Sequence, residues 1–216
     1  MTTLLLVDDH AIIRQGVAQL LSDRKAIDQA VEAASGAEAL AMLEQTRCDM
    51  VMLDISLPDI SGIDVLQRIK RHWPQLPVLI FSMYHEEQYG VRALKSGAAG
   101  YLSKAASTGE MLAAVRQVLS GRKYVSQSLA DALVSYVATN SGQMAHERLS
   151  HREYQTLCML GSGKRLTDVA NMLSLSVKTV SVYRTRLLEK LNLANNAELT
   201  YYVMHNRLVD LGPAQA

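Results

Sequence analysis

The feature that most constrains the fold of this chain is a recurrence of short apolar runs, each ending abruptly in a polar residue, within its first 122 residues. Leu4-Leu5-Leu6-Val7 ends in Asp8-Asp9, and Met50-Val51-Met52-Leu53 ends in Asp54. Val78-Leu79-Ile80-Phe81 ends in Ser82, and Gly100-Tyr101-Leu102-Ser103 ends in Lys104. A weaker run surrounds Ala30-Val31-Glu32-Ala33. Helical patterns alternate with these runs, which argues for a parallel sheet wrapped on both faces.

The intervening segments carry their own start and stop signals. Ile12, Ile13, Gly16, Val17, Leu20 and Leu21 fall on one helical face. Ser35 is placed to cap a helix that buries Ala39, Leu40 and Leu43. The stretch from Ile55 to Gly62, with Pro58, Asp59 and Ser61, reads as a loop before a helix through Ile63, Leu66 and Ile69. Trp73-Pro74 and Pro77 end that helix. Further helices run from Glu86 to Lys95, stopped by Ser96-Gly97, and from Thr108 to Leu119, stopped by Gly121. Residues 1–122 are therefore expected to form an α/β domain, flavodoxin-like and doubly wound, with five parallel strands and five helices.

Open parallel sheets bind ligands beyond the carboxyl ends of their strands, where the strand order reverses. Asp8, Asp9, Asp54, Ser82 and Lys104 all fall there. An aspartate after an apolar run is ordinarily a turn residue. An acidic pair, a single acid, a hydroxyl and a lysine, each ending a separate strand, make a phosphoryl-transfer site instead. The three carboxylates offer hard oxygen ligands suited to Mg²⁺. Asp54 can attack phosphorus to form an acyl phosphate, with Lys104 paired to the phosphoryl oxygens and Ser82 donating a hydrogen bond to them. Positioning and electrostatics would supply most of the catalysis.

Length and charge point to a second domain. A chain of 216 residues with 49% hydrophobic content suits two modest domains with full cores. The apolar run at Leu4–Val7 falls far short of the roughly 7–15 residues of a secretory leader. No stretch approaches the roughly 20 apolar residues that cross a bilayer. Cys48 and Cys158 are far apart, with no CxxC or histidine spacing, so neither a disulfide framework nor a zinc site is supported. The expected location is the cytoplasm. Residues 1–122 hold 12 Lys/Arg against 14 Asp/Glu, or −2, and residues 123–216 hold 10 against 7, or +3. The basic side chains of the second part gather between Lys178 and Lys190, which hints at a polyanion-binding module.

Residues 123–146 read as a linker, partly helical through Leu129, Leu133, Val134 and Val137, with a flexible tether at Thr139-Asn140-Ser141-Gly142. Residues 147–211 form an all-α unit that opens on a capping box, Ser150 with Glu153. Four helices are expected, over His151–Leu160, Leu166–Leu173, Val177–Leu191 and Asn196–His205. The second and third are separated only by Ser174-Leu175-Ser176, making a helix-turn-helix in which Val169, Ala170 and Leu173 face Val177, Val180 and Leu187. The outer face of the third displays Lys178, Thr179, Ser181, Val182, Thr185, Arg186 and Lys190, a size and charge that suit a major groove.

The first 122 residues resemble the receiver domain of two-component response regulators, through Val7-Asp8-Asp9-His10, Leu53-Asp54-Ile55-Ser56-Leu57-Pro58 with Gly62, Ser82, and Gly100-Tyr101-Leu102-Ser103-Lys104. The second unit resembles the LuxR-type DNA-binding domain, through Leu149-Ser150 with Glu153, Asp168-Val169-Ala170, Ser176-Val177-Lys178-Thr179-Val180 and Leu188-Glu189-Lys190-Leu191. Together they place nearly all of the chain in the NarL/FixJ family of response regulators. The resemblance implies a sensor histidine kinase that phosphorylates Asp54. It implies Mg²⁺ held by Asp9, Asp54 and the Ser56 main-chain carbonyl, with Asp8 acting through water. Tyr101 matches the aromatic switch position, which turns inward when Ser82 swings toward the phosphoryl group. Ser181, Val182 and Thr185 would meet base edges of double-stranded DNA. Lys178, Thr179, Arg184, Arg186 and Lys190 would mainly meet phosphates. The last helix, around Glu198 to Met204, resembles the family's DNA-bound homodimer contact, and RNA polymerase is an expected partner. The chain departs from the pattern at Lys104, which many receivers follow with a cis proline and which Ala105 follows here. It departs again at Ser181 and Tyr183, where many relatives carry a basic residue and a histidine.

The leading expectation is a transcription regulator controlled by phosphorylation, not an enzyme acting on other substrates. A phosphatase of the haloacid-dehalogenase type needs a second aspartate two residues beyond its nucleophile, and that position is Ser56. An electron carrier of the flavodoxin type needs a Ser/Thr/Gly-rich phosphate loop after the first strand, which is missing. A third reading, a regulator that acts mostly through another transcription factor, is separated from the first by DNA binding of the fragment from Glu147.

Overall fold

The structure, a computed structural model, describes residues 1–84, 86–139, 144–173, 175–206 and 208–209. The chain divides into two compact units, Met1–Val137 and Ala138–Ala216. Residues 140–142 of the expected tether, Ser174 of the expected turn and residues 210–211 at the end of the expected second domain lie outside the described residues. Among the described residues no helix is long and apolar enough to cross a membrane.

Each apolar run of the first unit is a strand. In chain order the elements are β1 (Thr3–Val7), α1 (Ala11–Asp23), β2 (Gln29–Ala33), α2 (Gly36–Gln45), β3 (Met50–Leu53), α3 (Gly62–His72), β4 (Val78–Ser82), α4 (Glu86–Lys95), β5 (Gly100–Ser103), α5 (Thr108–Leu119) and α6 (Gln127–Thr139). The strands pair in parallel in the order β2-β1-β3-β4-β5, so the expected doubly wound, five-stranded sheet is present. The chain steps outward from β1 to β2 and then back past β1 to β3. The order therefore reverses between β1 and β3. The fully buried strands β1, β3 and β4 are apolar on both faces, as a sheet covered on both sides requires. The edge strand β2, with Gln29 and Glu32, is only partly buried.

Alternation along the strands divides the core. Leu4, Leu6, Met50, Met52, Leu79, Phe81 and Leu102 pack with Val17 and Leu21 of α1 and with Met111, Val115 and Val118 of α5. One expectation is corrected here: Ile12 is 85% exposed rather than on the buried face of α1. It sits in the first helical turn, at the carboxyl end of β1, before the helix descends along the sheet.

The linker helix α6 belongs to the first unit. Leu129 is fully buried, and it lies where a side chain at Gly90 of α4 would stand, 2.5 Å from that Cβ position. The Glu86 carboxylate accepts from the hydroxyls of Ser126 and Ser128. Lys95 Nζ donates to the Tyr136 hydroxyl at 2.6 Å and lies 4.6 Å from its ring centroid. Val134 and Val137 point outward instead.

The second unit carries a 3-10 turn (Ala145–Arg148) and then α7 (His151–Gly161), α8 (Leu166–Met172), α9 (Val177–Leu191) and α10 (Asn196–His205). These are the four expected helices, the second one residue shorter and the first one residue longer. Ser150 and Glu153 form the expected capping box. Leu157, Val169, Ala170, Val180, Leu187, Leu199 and Val203 make the core. Val177, expected inside, is 45% exposed; it is the first residue of α9, before the helix meets α8. The left-handed conformation of Asn192 (φ 54°) ends α9, a role asparagine fills readily.

Candidate functional site

The sheet ladder extends one residue past β1, β3 and β5, and this sets the polar residues abreast. Asp8 N donates to Ala33 O (3.1 Å), Asp54 N to Val7 O (2.8 Å) and Lys104 N to Ser82 O (2.8 Å). Lys104 Nζ then lies 2.5 Å from Asp8 Oδ2 and 2.8 Å from Asp54 Oδ2. The side chains of Asp8, Asp54 and Lys104 are each about 5% exposed or less. Burial works against the charge on Lys104, but the Asp54 and Asp8 carboxylates outweigh it and raise its pKa above the ordinary lysine value.

Asp9 joins this group through a residue that sequence reasoning quoted without a role. His10 Nδ1 lies 2.7 Å from Asp9 Oδ1 and 3.2 Å from Asp8 Oδ1, and His10 N donates to Asp8 Oδ1 at 2.9 Å. Arg14, which the sequence did not single out, is a second residue of this group. Its guanidinium donates to Asp8 O (2.6 Å) and to Glu32 Oε2 (2.9 Å), tying the loop after β1 to the edge strand. Nothing in the spacing of Arg14 and Glu32 announces this pairing, because it depends on the β1–β2 register.

The loop between β3 and α3 closes on itself: Gly62 N donates to Ile55 O at 2.9 Å, and a Cβ at Gly62 would collide with the Asp54 carbonyl oxygen. Ser56 is half-buried on this loop. Ser82 is 1% exposed, and Tyr101 points inward with no exposure. The Tyr101 hydroxyl donates to Tyr84 O at 2.8 Å. Burial pushes the phenol above its usual range despite a hydrogen bond with Ser82, and the Asp54 and Glu86 charges add to the rise.

Three carboxylates against one ammonium leave a charge of −2, which a divalent cation offsets. Asp54 Oδ1 is buried without a hydrogen-bond partner among the described residues. Asp8, Asp9 and His10 offer ligand atoms within 4.8 Å of one another. The three carboxylates, with an unsatisfied buried oxygen on Asp54, supply the hard oxygen ligands that fit Mg²⁺.

In the second unit α9 presents Lys178, Ser181, Val182, Thr185 and Arg186 on its exposed face, with Thr179 and Arg184 half-buried. Ser176 caps the helix by accepting from Thr179 N at 3.0 Å, and Thr185 Oγ1 donates back to Ser181 O. Three of the expected phosphate-binding residues already have partners, and Thr179 Oγ1 lies 2.7 Å from Ser176 Oγ. Arg184 Nε donates to Asn196 Oδ1 at 2.7 Å. Lys190 Nζ donates to Glu153 Oε2 at 2.7 Å, where Glu153 is 3% exposed. Burial opposes the charge on Glu153, but the bonds from Lys190 and Ser150 outweigh it and hold its pKa below the usual carboxylate range.

Residues 4–116 match the response regulator receiver domain family, and residues 147–203 match the bacterial regulatory proteins of the luxR family. Response regulator UvrY of Escherichia coli strain K12 is 32% identical over 209 residues, covering 96% of both chains. Response regulator GacA of Pseudomonas protegens is 33% identical over 210 residues, covering 97% of this chain and 99% of that one. A two-component response regulator of the LuxR family from Aurantimonas sp. SI85-9A1 has a similar structure, with TM-score 0.58 and 31% identity, over 64% of this chain and 99% of that one. The RcsB response regulator of Salmonella typhimurium shares the fold over 94% of this chain and 98% of its own, at TM-score 0.57 and 23% identity.

Proposed function

The chain belongs to the response regulators that join a receiver domain to a LuxR-type domain, and we propose from that premise that it stores a phosphoryl group on Asp54 and reads it out as DNA occupancy. The observation that carries this reading is the buried chain of ion pairs from Asp8 through Lys104 to Asp54, with Asp54 Oδ1 left free of hydrogen bonds among the described residues.

A sensor histidine kinase supplies the phosphoryl group. The Asp54 carboxylate attacks phosphorus; the new O–P bond forms as the P–N bond of the phosphohistidine breaks, and the imidazole leaves with the electron pair. Asp9, Asp54 and the Ser56 carbonyl, with Asp8 beside them, would hold Mg²⁺, which would supply charge neutralisation between donor and acceptor. Lys104, already held between two carboxylates, turns one of its N–H groups to the phosphoryl oxygens. The chain's catalysis is confined to this transfer and to hydrolysis of its own acyl phosphate.

Phosphorylation adds about −1.5 to −2 charges at one buried point. Ser82 swings to that charge, and Tyr101, already inward in the unphosphorylated chain, is locked in that state of the bistable element. The bond from Tyr101 to Tyr84 O connects it to the start of α4, the helix on which α6 is docked.

In the second unit Ser181, Val182 and Thr185 meet base edges of double-stranded DNA, and Lys178, Thr179 and Arg186 meet phosphates. We reassign Lys190, because its ammonium is bonded to the buried Glu153; it fixes the tilt of α9 instead. Arg184 is partly committed to Asn196 in the same way and turns its remaining N–H groups to phosphate. The protein works in the cytoplasm as a homodimer on paired half-sites roughly one helical turn or less apart, with α10 as the dimer contact and RNA polymerase as a further partner. Acyl-phosphate labelling tests the site: Asp54→Ala removes a hydroxylamine- and base-labile label that the wild type acquires from acetyl phosphate. An unchanged signal, or an acid-stable label of the kind serine carries, sinks the assignment.

A further inference from the structure

The loop between β3 and α3 contains a carboxylate with no role in the site described above. Asp59 Oδ1 accepts from Gly36 N at 3.0 Å and Oδ2 from Ala37 N at 2.8 Å, both in the first turn of α2. Ser35 Oγ accepts from Glu38 N and Glu38 Oε2 from Ala34 N at 2.7 Å, which leaves the first-turn donors Gly36 N and Ala37 N to Asp59. The two bonds of Asp59 therefore cap the helix and fasten the loop to it at once.

What the loop carries makes that fastening matter. Its base is held at Asp54 by the ladder bond to Val7 O and by the Gly62–Ile55 bond, and Gly62 presses on the Asp54 carbonyl. Leu57 N donates to the same Ile55 O at 3.2 Å, and the stretch from Pro58 to Ile60 lies between that bond and the start of α3. Against α2 the packing is close: a Cβ at Gly36 would stand 2.6 Å from both Ile60 Cγ1 and Val65 Cγ2. Without a side chain at Gly36 the loop comes near enough for Asp59 to reach two backbone N–H groups. The start of α2 is in turn continuous with Ala33, whose carbonyl takes the bond from Asp8 N. Asp59 thus closes a frame that runs from Asp8 through Ala33 and α2 to the loop and back to Asp54.

We propose that Asp59 is a positioning residue for the metal site: by pinning the β3–α3 loop to α2 it holds the Ser56 carbonyl at the distance from Asp9 and Asp54 that a small divalent cation requires. This rests on the metal-assisted phosphoryl transfer proposed above. Mg²⁺ tolerates little departure from octahedral geometry, so a loop free to shift loses metal affinity before it loses fold. Burial opposes the charge on Asp59, but the backbone donors of Ala37 and Gly36 outweigh it and keep the carboxyl below its usual pKa. The fastening is therefore intact throughout the neutral range.

The test uses the full chain, with Mg²⁺ binding measured by calorimetry and labelling of Asp54 by acetyl phosphate measured as a function of Mg²⁺. Asp59→Ala is expected to weaken Mg²⁺ binding about tenfold, the low end for residues that orient metal ligands. The labelling rate at saturating Mg²⁺ stays within about twofold of wild type on the same reasoning, since no group touching phosphorus is removed. Asp59→Asn keeps one acceptor and turns an NH₂ toward the other donor, and it is expected to fall between the two. Unchanged Mg²⁺ affinity in either variant overturns the proposal, as does a lowered saturated rate at unchanged affinity. If Asp59→Ala fails to fold, the asparagine variant decides on the same criteria. A wild-type chain that binds Mg²⁺ but takes no label on Asp54 defeats the phosphoacceptor reading and leaves the Asp59 comparison standing on calorimetry.

Discussion

Lys104 does the electrostatic work that allows two carboxylates to sit together out of water. Asp8 and Asp54 are both buried, and Lys104 lies within 2.8 Å of each. Removing one member of such a group leaves unpaired buried charge, at a cost of about 3–5 kcal/mol. Lys104→Met is accordingly expected to destabilise the metal-free protein by about 3 kcal/mol in urea unfolding, and Mg²⁺ to restore part of that loss. The pH dependence follows from the raised pKa of Lys104. A raised pKa gives a stabilisation that is complete below the ordinary lysine value of about 10.4 and disappears as pH rises through the folded value. The gap between wild type and variant is thus flat from neutral pH to about 9 and narrows only above about 10. A gap that closed near neutral pH would mean that Lys104 is not charged there.

Elements show what the residues could and could not announce. Strand runs, caps and breaks are local, and they predict the five strands and the α-helices of the described residues, though not the 3-10 turn at Ala145–Arg148, because each signal needs only its own neighbours. The capping box at Ser150 and Glu153 is one such case. The second bond of Glu153 is not local: Lys190 is 37 residues away and meets it only once α7 and α9 pack. Sequence pattern therefore places Lys190 with the phosphate contacts and does not announce its bond to Glu153. Asp59 and Arg14 escaped notice for the same reason, since their partners lie across a loop and a strand pairing. Likewise Leu129 looks like any apolar linker residue until Gly90 leaves it room.

The α7–α9 clamp yields two measurable consequences. Glu153→Gln keeps the capping box and loses the ion pair, and because Lys190 is 45% exposed the cost is discounted to about 1 kcal/mol. The pKa of Glu153 is lowered in the fold, so this contribution is present above the ordinary glutamate value of about 4.3 and is lost as pH falls through the folded one. Melting temperatures of variant and wild type should differ at pH 7 and converge below about pH 4. On DNA, Lys178→Gln and Arg186→Gln should each reduce the slope of log affinity against log salt by about 1, whereas Lys190→Gln should leave the slope unchanged and lower affinity at every salt concentration. A slope reduced equally by Lys190→Gln would return that lysine to the phosphate contacts.

At the scale of the molecule the two units divide the labour that the charge distribution foreshadows. The acidic first unit, at −2, holds the switch, and the basic second unit, at +3, meets the polyanion. Neither function suffices alone: an acyl phosphate without a reader is only an intermediate, and a helix-turn-helix without a switch binds at a fixed level. The helix α6 ends the first unit and leads into the second, and it is docked on α4, next to the carbonyl that Tyr101 holds. The most direct measurement of the whole account is capture of genomic DNA fragments by the full chain with Mg²⁺, with and without acetyl phosphate, for wild type and Asp54→Ala. The account predicts that phosphorylated wild type enriches fragments sharing paired half-sites, and that Asp54→Ala matches the unphosphorylated protein under both conditions. Equal enrichment of the same fragments by all four samples would contradict it.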